Sequence, residues 1–508
     1  MTENLVIGLD SSTTATKAIA WNAQGEAVAE GRAQLVISNP QTGWFEQDAA
    51  DWWTAAVKAI RNLLDQVEAK RIAAIAIANQ RESFALFDND GHALRPATLW
   101  LDERSRAEVQ ILSSTLGAEV IHRISGKPAD TIPCLYRCLW FKRNMPDIWA
   151  RTRKIAEPHA FLTYNLTGTW MTSTASADPM GLLDMEAMDW SDTLLQAVGL
   201  SRDQVSFLRR PGQVMGRVSP GAAASCGLQE GLPVIAGGGD GQCAGTGTNV
   251  FEAGRAYVNL GTAIVSGSYG AAYRHDLAFR TMTAVAESGY IFESCLRAGT
   301  FLVNWLIERM FKADPADASV FERLEAEASQ SPIGANGIAM VPYWGGCMTP
   351  YWDFNARGVI AGLTSSHNSG DVYRALLEGI ALELTMVSGQ IAAKTEPIRE
   401  YVAIGGGAAS DLWCQILADA SGRTVRRSTM IEASSLGAAI AAAAGAGWYG
   451  DIKQAARAMA GRLVKTFEPE QKSHRRYGEL AAIYNDLWPA ITQWNSRMAA
   501  FATAAETG

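Results

Sequence analysis

Along this chain, short apolar runs that end at glycine or at polar clusters alternate with longer stretches of helical spacing. Residues 5–9 (Leu-Val-Ile-Gly-Leu) read as a buried strand, 18–21 as a second and the stretch from Ala27 as a third, with a turn at 22–25. The loop between the first two, Asp10-Ser11-Ser12-Thr13-Thr14-Ala15-Thr16-Lys17, is the hydroxyl-rich tip of a β-hairpin. Residues 48–67 place Trp52, Ala56, Ile60, Leu63 and Leu64 at helical spacing behind the acidic Glu46 and Asp48. A buried strand at 72–78 delivers Asn79-Gln80-Arg81-Glu82-Ser83 to its end, and a short strand at 96–100 ends at Asp102, Glu103 and Arg104. Helical patterns follow over 104–116 and 135–144, then a strand and helix over 155–167 ended by Gly168.

Residues 232–236 (Leu-Pro-Val-Ile-Ala) then run into Gly237-Gly238-Gly239-Asp240-Gly241. A Val/Ile/Ala run bounded by Pro and Gly suits a strand covered on both faces. The glycines clear side chains where the backbone turns or a ligand approaches. Asp240 projects from the carboxyl end of that strand, where open α/β sheets bind ligands, as a general base or metal ligand. Taken alone, it serves equally as the cap of the next helix.

The pattern then restarts. Residues 255–260 form a strand that ends in Gly261-Thr262-Ala263, and 264–268 leave it; 401–404 run into Gly405-Gly406-Gly407 as 234–236 ran into the first triple glycine. Two unlike halves thus share one order, hydroxyl hairpin first and strand plus triple glycine last, which predicts two domains of one architecture facing a cleft. Helices are predicted at 302–311, 315–329, 371–385 and 475–494, and an aromatic, glycine-rich loop at 342–354. The very small residues of 433–444 suit close packing under a sheet or against a planar ligand.

Composition narrows the chemistry. A chain of 508 residues exceeds what one core usually supports. Its 48% hydrophobic and 19% charged residues are those of a folded, soluble protein. A net charge of -8 argues against a nucleic-acid partner but not against a phosphorylated small molecule. Seven scattered cysteines, with Cys134 and Cys138 lacking a second Cys/His pair, argue against zinc and for reduced thiols in the cytoplasm. No basic segment precedes an apolar core at the N-terminus, and apolar runs such as 438–444 fall short of a membrane span, so no membrane association is expected.

Small hydroxyls and backbone N–H groups on the first hairpin can surround phosphate oxygens, with Lys17 adding charge, and Asp10 can hold Mg²⁺ through water. Arg81 and Glu82 suit the reading of hydroxyls, or else form an ordinary ion pair.

These residues together resemble the FGGY carbohydrate kinases, relatives of hexokinase, the Hsp70 ATPase domain and actin. The resemblance rests on 10–17, on 79–83 with Leu94-Arg95-Pro96…Trp100…Asp102-Glu103-Arg104, and on Tyr164-Asn165-Leu166-Thr167-Gly168. It continues through 237–240, Gly261-Thr262, Gly358…Gly362-Leu363…His367, 374–381, 405–410 and Trp413-Cys414-Gln415. It implies an α/β fold of two ribonuclease H-like domains flanking a catalytic cleft, divided as 1–248 and 249–508. It implies an ATP- and Mg²⁺-dependent, cytoplasmic sugar or polyol kinase, and it admits a homodimer. Asp240 matches the catalytic base and Asp10 the Mg²⁺ ligand. Thr13, Thr14, Lys17, Gly261 and Thr262 match phosphate contacts, and Gly406, Gly407 and Ser410 lie at the adenosine. Arg81, Glu82, Asp102, Asp240 and Gln242 are the implied substrate contacts.

Ser12 departs from the family, which usually carries glycine there; its side chain narrows the approach to the γ-phosphate or donates to it. The stretch 79–83 is close to the Asn-Gln-Arg-Glu-Thr of glycerol kinases, whereas 94–100 and 139–146 look more like xylulokinases. Ile132 falls where glycerol kinases have a substrate tyrosine. A linear ketose or polyol longer than glycerol, D-xylulose first, is the expected acceptor. The rival is a non-catalytic ATPase switch of the same superfamily, which would need neither Arg81-Glu82 nor the aromatic loop. A Rossmann reading of Gly239-Asp240-Gly241-Gln242-Cys243-Ala244 puts a carboxylate where a pyrophosphate would sit.

Overall fold

The computed structural model describes residues 4–505. The strand Leu5–Ser11 pairs antiparallel with Ala15–Trp21 and parallel with Ile72–Asn79, which pairs parallel with Pro233–Gly239. With Ala27–Gln34 and Val214–Arg217 at the edges, these make a six-stranded sheet. The second sheet repeats the plan. Arg255–Leu260 pairs antiparallel with Ile264–Gly270 and parallel with Glu400–Ile404, which lies parallel to Thr424–Ser428. Tyr290–Leu296, Arg280–Thr283 and Leu463–Phe467 complete seven strands. Each half is an antiparallel run extended on one side by parallel crossovers, the two-domain arrangement expected of the actin and hexokinase fold.

One face of the first sheet packs on the helix Ala49–Leu64, which buries Trp52, Ile60 and Leu63 and is capped by the Asp48 side chain accepting from the Ala50 N–H. The other face is covered by chain from far downstream. The helices Ala433–Gly445 and Ile452–Met459 lie against Val6, Ile19, Trp21 and Ile235. Ser435 Oγ donates to the Gly8 carbonyl at 2.9 Å and accepts from Trp21 Nε1 at 3.1 Å. A Cβ on Gly8 would stand 1.9 Å from the Ser435 carbonyl oxygen, so the glycine is what admits the helix. Of the two uses open to the small residues of 433–444, packing under a sheet is the one observed. A division near residue 248 separates the sheets, but the layer that covers the first sheet is drawn from the second half.

Several elements differ from their predicted extent. The hairpin loop shrinks to Ser12–Thr14 in position, because Asp10, Ser11 and 15–17 are already in strands. The 104–116 helix splits into Arg106–Leu112 and Ala118–Ser125 around a wider turn, and the 96–100 strand shortens to Ala97–Thr98. The 371–385 helix extends to Ser369–Lys394 behind an Asn368/Asp371 capping box. Among the described residues this is the one helix long and apolar enough to cross a membrane, and 72% of its apolar stretch is buried inside the second domain. The strands Arg280–Thr283 and Tyr290–Leu296 were not legible, and they carry two residues of the site below.

Candidate active site

The register of the first sheet assembles the site. Ser11 pairs with Asn79, and Asn79 pairs with Gly239. Asp10, the Gln80–Ser83 stretch and Asp240 therefore emerge at one end of three adjacent strands. Pro233–Gly239 passes directly into the helix Asp240–Gly247 without an intervening loop. None of Gly237, Gly238 and Gly239 has a positive φ, so they serve close approach rather than a turn. A Cβ on Gly237 would lie 2.1 Å from the Ile77 carbonyl oxygen, and one on Gly239 would lie 2.5 Å from the Arg81 side chain. The glycines let Arg81 lie across the strand end.

Arg81 is the hub of a buried ionic network. Its Nε is 3.0 Å from Asp240 Oδ1 and its Nη1 is 2.8 Å from Glu293 Oε2. Arg280 joins Glu293 at 2.6 Å and Glu82 at 2.7 Å, and Tyr257 donates to Glu293 Oε2 at 3.1 Å. Behind them Lys127 faces Asp178 at 3.5 Å. Arg81, Glu82, Arg280 and Glu293 are all buried, whereas the Asp240 side chain keeps 37% of its surface open. Asp240 Oδ1 also accepts from the Gly241 N–H at 2.7 Å, and Oδ2 has no partner among the described residues. Burial pushes the Asp240 carboxyl above the usual carboxylate range, against the pull of Arg81. Burial also works to raise Glu293, but Arg280 and Arg81 outweigh it and hold that carboxyl down at about 2. Glu82 has φ 52°, in the left-handed region, so its backbone is held in a strained conformation at the centre of the site.

Asp10 is the natural place for a divalent cation. Its Oδ1 is buried without a hydrogen-bond partner, and burial together with the nearby Asp240 charge pushes the carboxyl up to about 7. An orphaned acceptor facing a second carboxylate fits a bound Mg²⁺.

Other predicted residues fall differently. Lys17 is not a free phosphate donor: its Nζ pairs with Glu432 Oε1 at 2.5 Å. Ser12 turns its hydroxyl into its own turn, donating to the Ala15 carbonyl at 2.8 Å. Thr13 Oγ1 accepts from Trp100 Nε1 at 3.0 Å, and Thr14 is exposed. Asp102 is fully buried and engaged on both oxygens: Arg104 Nε and Nη2, in its own loop, each donate at 2.7 Å, and the Phe45 N–H donates at 2.8 Å from a distant segment. Gln242 is fully buried too and donates to the Ala175 carbonyl at 2.8 Å. Both residues therefore brace the site instead of lining the cleft. Arg81 and Glu82 do converge on Asp240, yet most of their polar atoms are engaged in the network.

In the second domain, Thr262 is exposed at its hairpin tip beside Gly261. Gly406 is exposed, and a Cβ there would meet nothing within 4 Å, whereas Gly407 packs on Trp413. Ser410 is a helix cap: its hydroxyl accepts from the Trp413 N–H at 2.9 Å and donates to Glu325 at 2.8 Å. Ile132 is buried beneath the site. Between the domains lies a cavity of about 550 Å³ walled by Phe45, Trp100 and Thr131 on one side and Thr262, Arg297 and Phe301 on the other.

Models of the N-terminal and C-terminal domains of the FGGY family of carbohydrate kinases match residues 5–247 and 243–446. The chain belongs to this family. This FGGY protein is 32% identical to the xylulose kinase of Escherichia coli K12 over 422 residues, 82% of this chain and 85% of that one. It is 29% identical to a glycerol kinase of Aromatoleum aromaticum over 497 residues, 94% and 96% of the two chains. The crystal structure of ligand-bound xylulose kinase from Lactobacillus acidophilus superposes with a TM-score of 0.91, at 23% identity over 97% of this chain and 100% of that one, which shows the shared fold. The FGGY kinase is thus a phosphotransferase with an alcohol acceptor, from a family that uses ATP.

Arg280, Glu293 and Lys127 are the site residues that sequence reasoning missed. One signal was present: Glu293 is the lone carboxylate in Tyr-Ile-Phe-Glu-Ser-Cys-Leu, and a charge in so apolar a strand needs a partner.

Proposed function

We propose that this kinase transfers the γ-phosphate of ATP to a hydroxyl of a linear ketose, D-xylulose first, and acts in the cytoplasm. The observation that carries the reading is Asp240: a half-open carboxylate, with Arg81 on one oxygen and the other oxygen unpartnered, at the carboxyl end of a strand. Its Oδ2 takes the proton of the attacking hydroxyl while Arg81 and the Gly241 N–H hold Oδ1. Burial raises its basicity, and the Arg81 charge pulls the other way.

Asp10 would hold Mg²⁺, which supplies neutralising charge to the phosphates. Thr13, Thr14, Gly261 and Thr262 border the phosphate path from the two facing hairpins, and the open backbone at Gly406, beside Gly407, receives the adenosine. The protein's part in phosphoryl transfer is mainly positioning and charge stabilisation, and closing the cleft excludes the competing water.

A glycerol-like polyol is the second reading, favoured by Asn79-Gln80-Arg81-Glu82-Ser83. ADP release measured across ketoses and polyols separates the two. The highest kcat/KM is expected with D-xylulose; a preference for glycerol selects the second reading, and ADP release independent of any sugar overturns both.

A further inference from the structure

The base sits on the first domain, but the group that orients its partner comes from the second. Glu293 lies in mid-strand on Tyr290–Leu296, with none of its surface exposed. Both of its oxygens accept from Arg81 Nη1, at 3.0 and 2.8 Å. Arg280 donates to Oε1 at 2.7 Å and Tyr257 to Oε2 at 3.1 Å, so the carboxylate is fixed from the side of the second sheet. The Arg81 guanidinium has a shared edge: Nη1 is taken by Glu293, and Nε is thereby turned to Asp240 Oδ1. A planar fork bound at one nitrogen has its remaining N–H directions set.

Arg280 does for Glu82 what Glu293 does for Arg81, through a 2.7 Å contact across the same boundary. The strand Arg280–Thr283 is in turn held to the first domain, by the Thr281 N–H donating to the Gly126 carbonyl at 2.9 Å and the Thr283 N–H donating to Asp178.

We propose that Glu293 is a positioning residue for phosphoryl transfer, acting from the second domain through Arg81 to aim and electrostatically balance Asp240. The inference rests on Asp240 as the base. It assigns the second sheet a part in the chemistry besides holding nucleotide: the cation beside the base is correctly oriented only when the two domains are joined at this seam. Without Glu293, Arg81 keeps its charge but loses the contact that sets its plane, and Asp240 loses a fixed orientation for proton removal.

A double-mutant cycle on the full-length protein tests it, because a residue that acts through another loses its effect once the other is gone. Glu293→Gln is expected to lower kcat at least tenfold with the KM for ATP within twofold, and Glu293→Asp to restore part of the loss. In an Arg81→Met background, Glu293→Gln is expected to change the residual kcat less than twofold. An equal loss in both backgrounds, or an unchanged kcat in the single variant, overturns the proposal. Should Glu293→Gln fail to fold, Tyr257→Phe decides: a twofold to fivefold loss of kcat is expected, absent in the Arg81→Met background, and the same loss in both backgrounds overturns it. Asp240→Asn, run alongside, separates the failures. Substantial activity in that variant removes the base assignment itself, whereas an inactive Asp240→Asn with no Glu293–Arg81 coupling sinks this inference alone.

Discussion

Arg81 Nε stands 3.0 Å from Asp240 Oδ1, between a carboxylate that keeps 37% of its surface open and a Glu293 that keeps none. One cation thus serves two acids of opposite kinds. Glu293 is a permanent anion, whereas burial and Arg81 pull the Asp240 carboxyl in opposite directions. A carboxylate so balanced accepts a proton more readily than a free aspartate, yet has its geometry fixed before substrate arrives.

Replacing the acid tests that assignment most directly. Asp240→Asn preserves shape and the Gly241 contact but cannot take a proton. The loss of kcat is expected to be about 10²–10⁴-fold, the range of a general base. Nucleotide affinity, measured by calorimetry, should change little.

Arg81→Ala removes the cation and leaves Asp240 and Glu293 without their shared partner. Steady-state kinetics should show a fall in kcat and a rise in the KM for sugar that exceeds the rise for ATP. An unchanged sugar KM would move the acceptor site away from this strand end.

The unpartnered Oδ1 of Asp10 predicts a metal requirement. Chelation of Mg²⁺ should abolish turnover. Thermal-shift assays with ADP should show a gain in Tm on adding Mg²⁺ to the wild type that is lost in Asp10→Asn.

A buried acid on the long helix Ser369–Lys394 predicts a pH dependence of stability. Burial raises Glu383 to about 7, although Tyr343 and Tyr484 donate to it at 2.9 and 3.1 Å. The native state therefore holds this proton more tightly than the unfolded chain, whose carboxyl titrates near 4.5. The stabilisation is complete below about pH 4.5 and is lost as the pH rises through about 7, by on the order of 3 kcal/mol. Glu383→Gln should flatten the fall in Tm between pH 5 and pH 8. An equal slope in the variant would assign the dependence to other groups.

The seam under the base helix predicts a packing effect. A Cβ on Gly437 would stand 1.9 Å from the Cys243 carbonyl oxygen, which belongs to the helix that begins at Asp240. Gly437→Ala should cost about 1–3 kcal/mol by overpacking. It should also lower kcat by displacing the base, as denaturant titration and turnover assays would show.

Sequence reasoning reached Asp240 because an apolar strand running into three glycines is a local pattern, and a repeat of it at 401–407 exposed the two-domain plan. It reached Asp10 and Arg81 for the same reason, since each ends a run of alternating or continuous apolar residues. It could not see how Asp102, Lys17 and Gln242 are engaged, because that depends on their partners in the fold: Arg104, Glu432 and Ala175. It read the 371–385 helix too short mainly at its C-terminal end, because Ser388-Gly389 interrupts the apolar spacing of a helix that runs on to Lys394.

Hydrophobic periodicity and turn chemistry are properties of neighbouring residues. The chain alone therefore determined the first strands of each sheet, its two halves and the strand ends that carry Asp10, Arg81 and Asp240, but not the strands Arg280–Thr283 and Tyr290–Leu296. Charge pairing inside a folded protein is a property of distance in space. Glu293 and Arg81 are 212 positions apart, and Ser435 meets Gly8 across 427. Only tertiary structure could decide that the second sheet steadies the partner of the first sheet's base, and that a late helix of small residues closes the first sheet's open face.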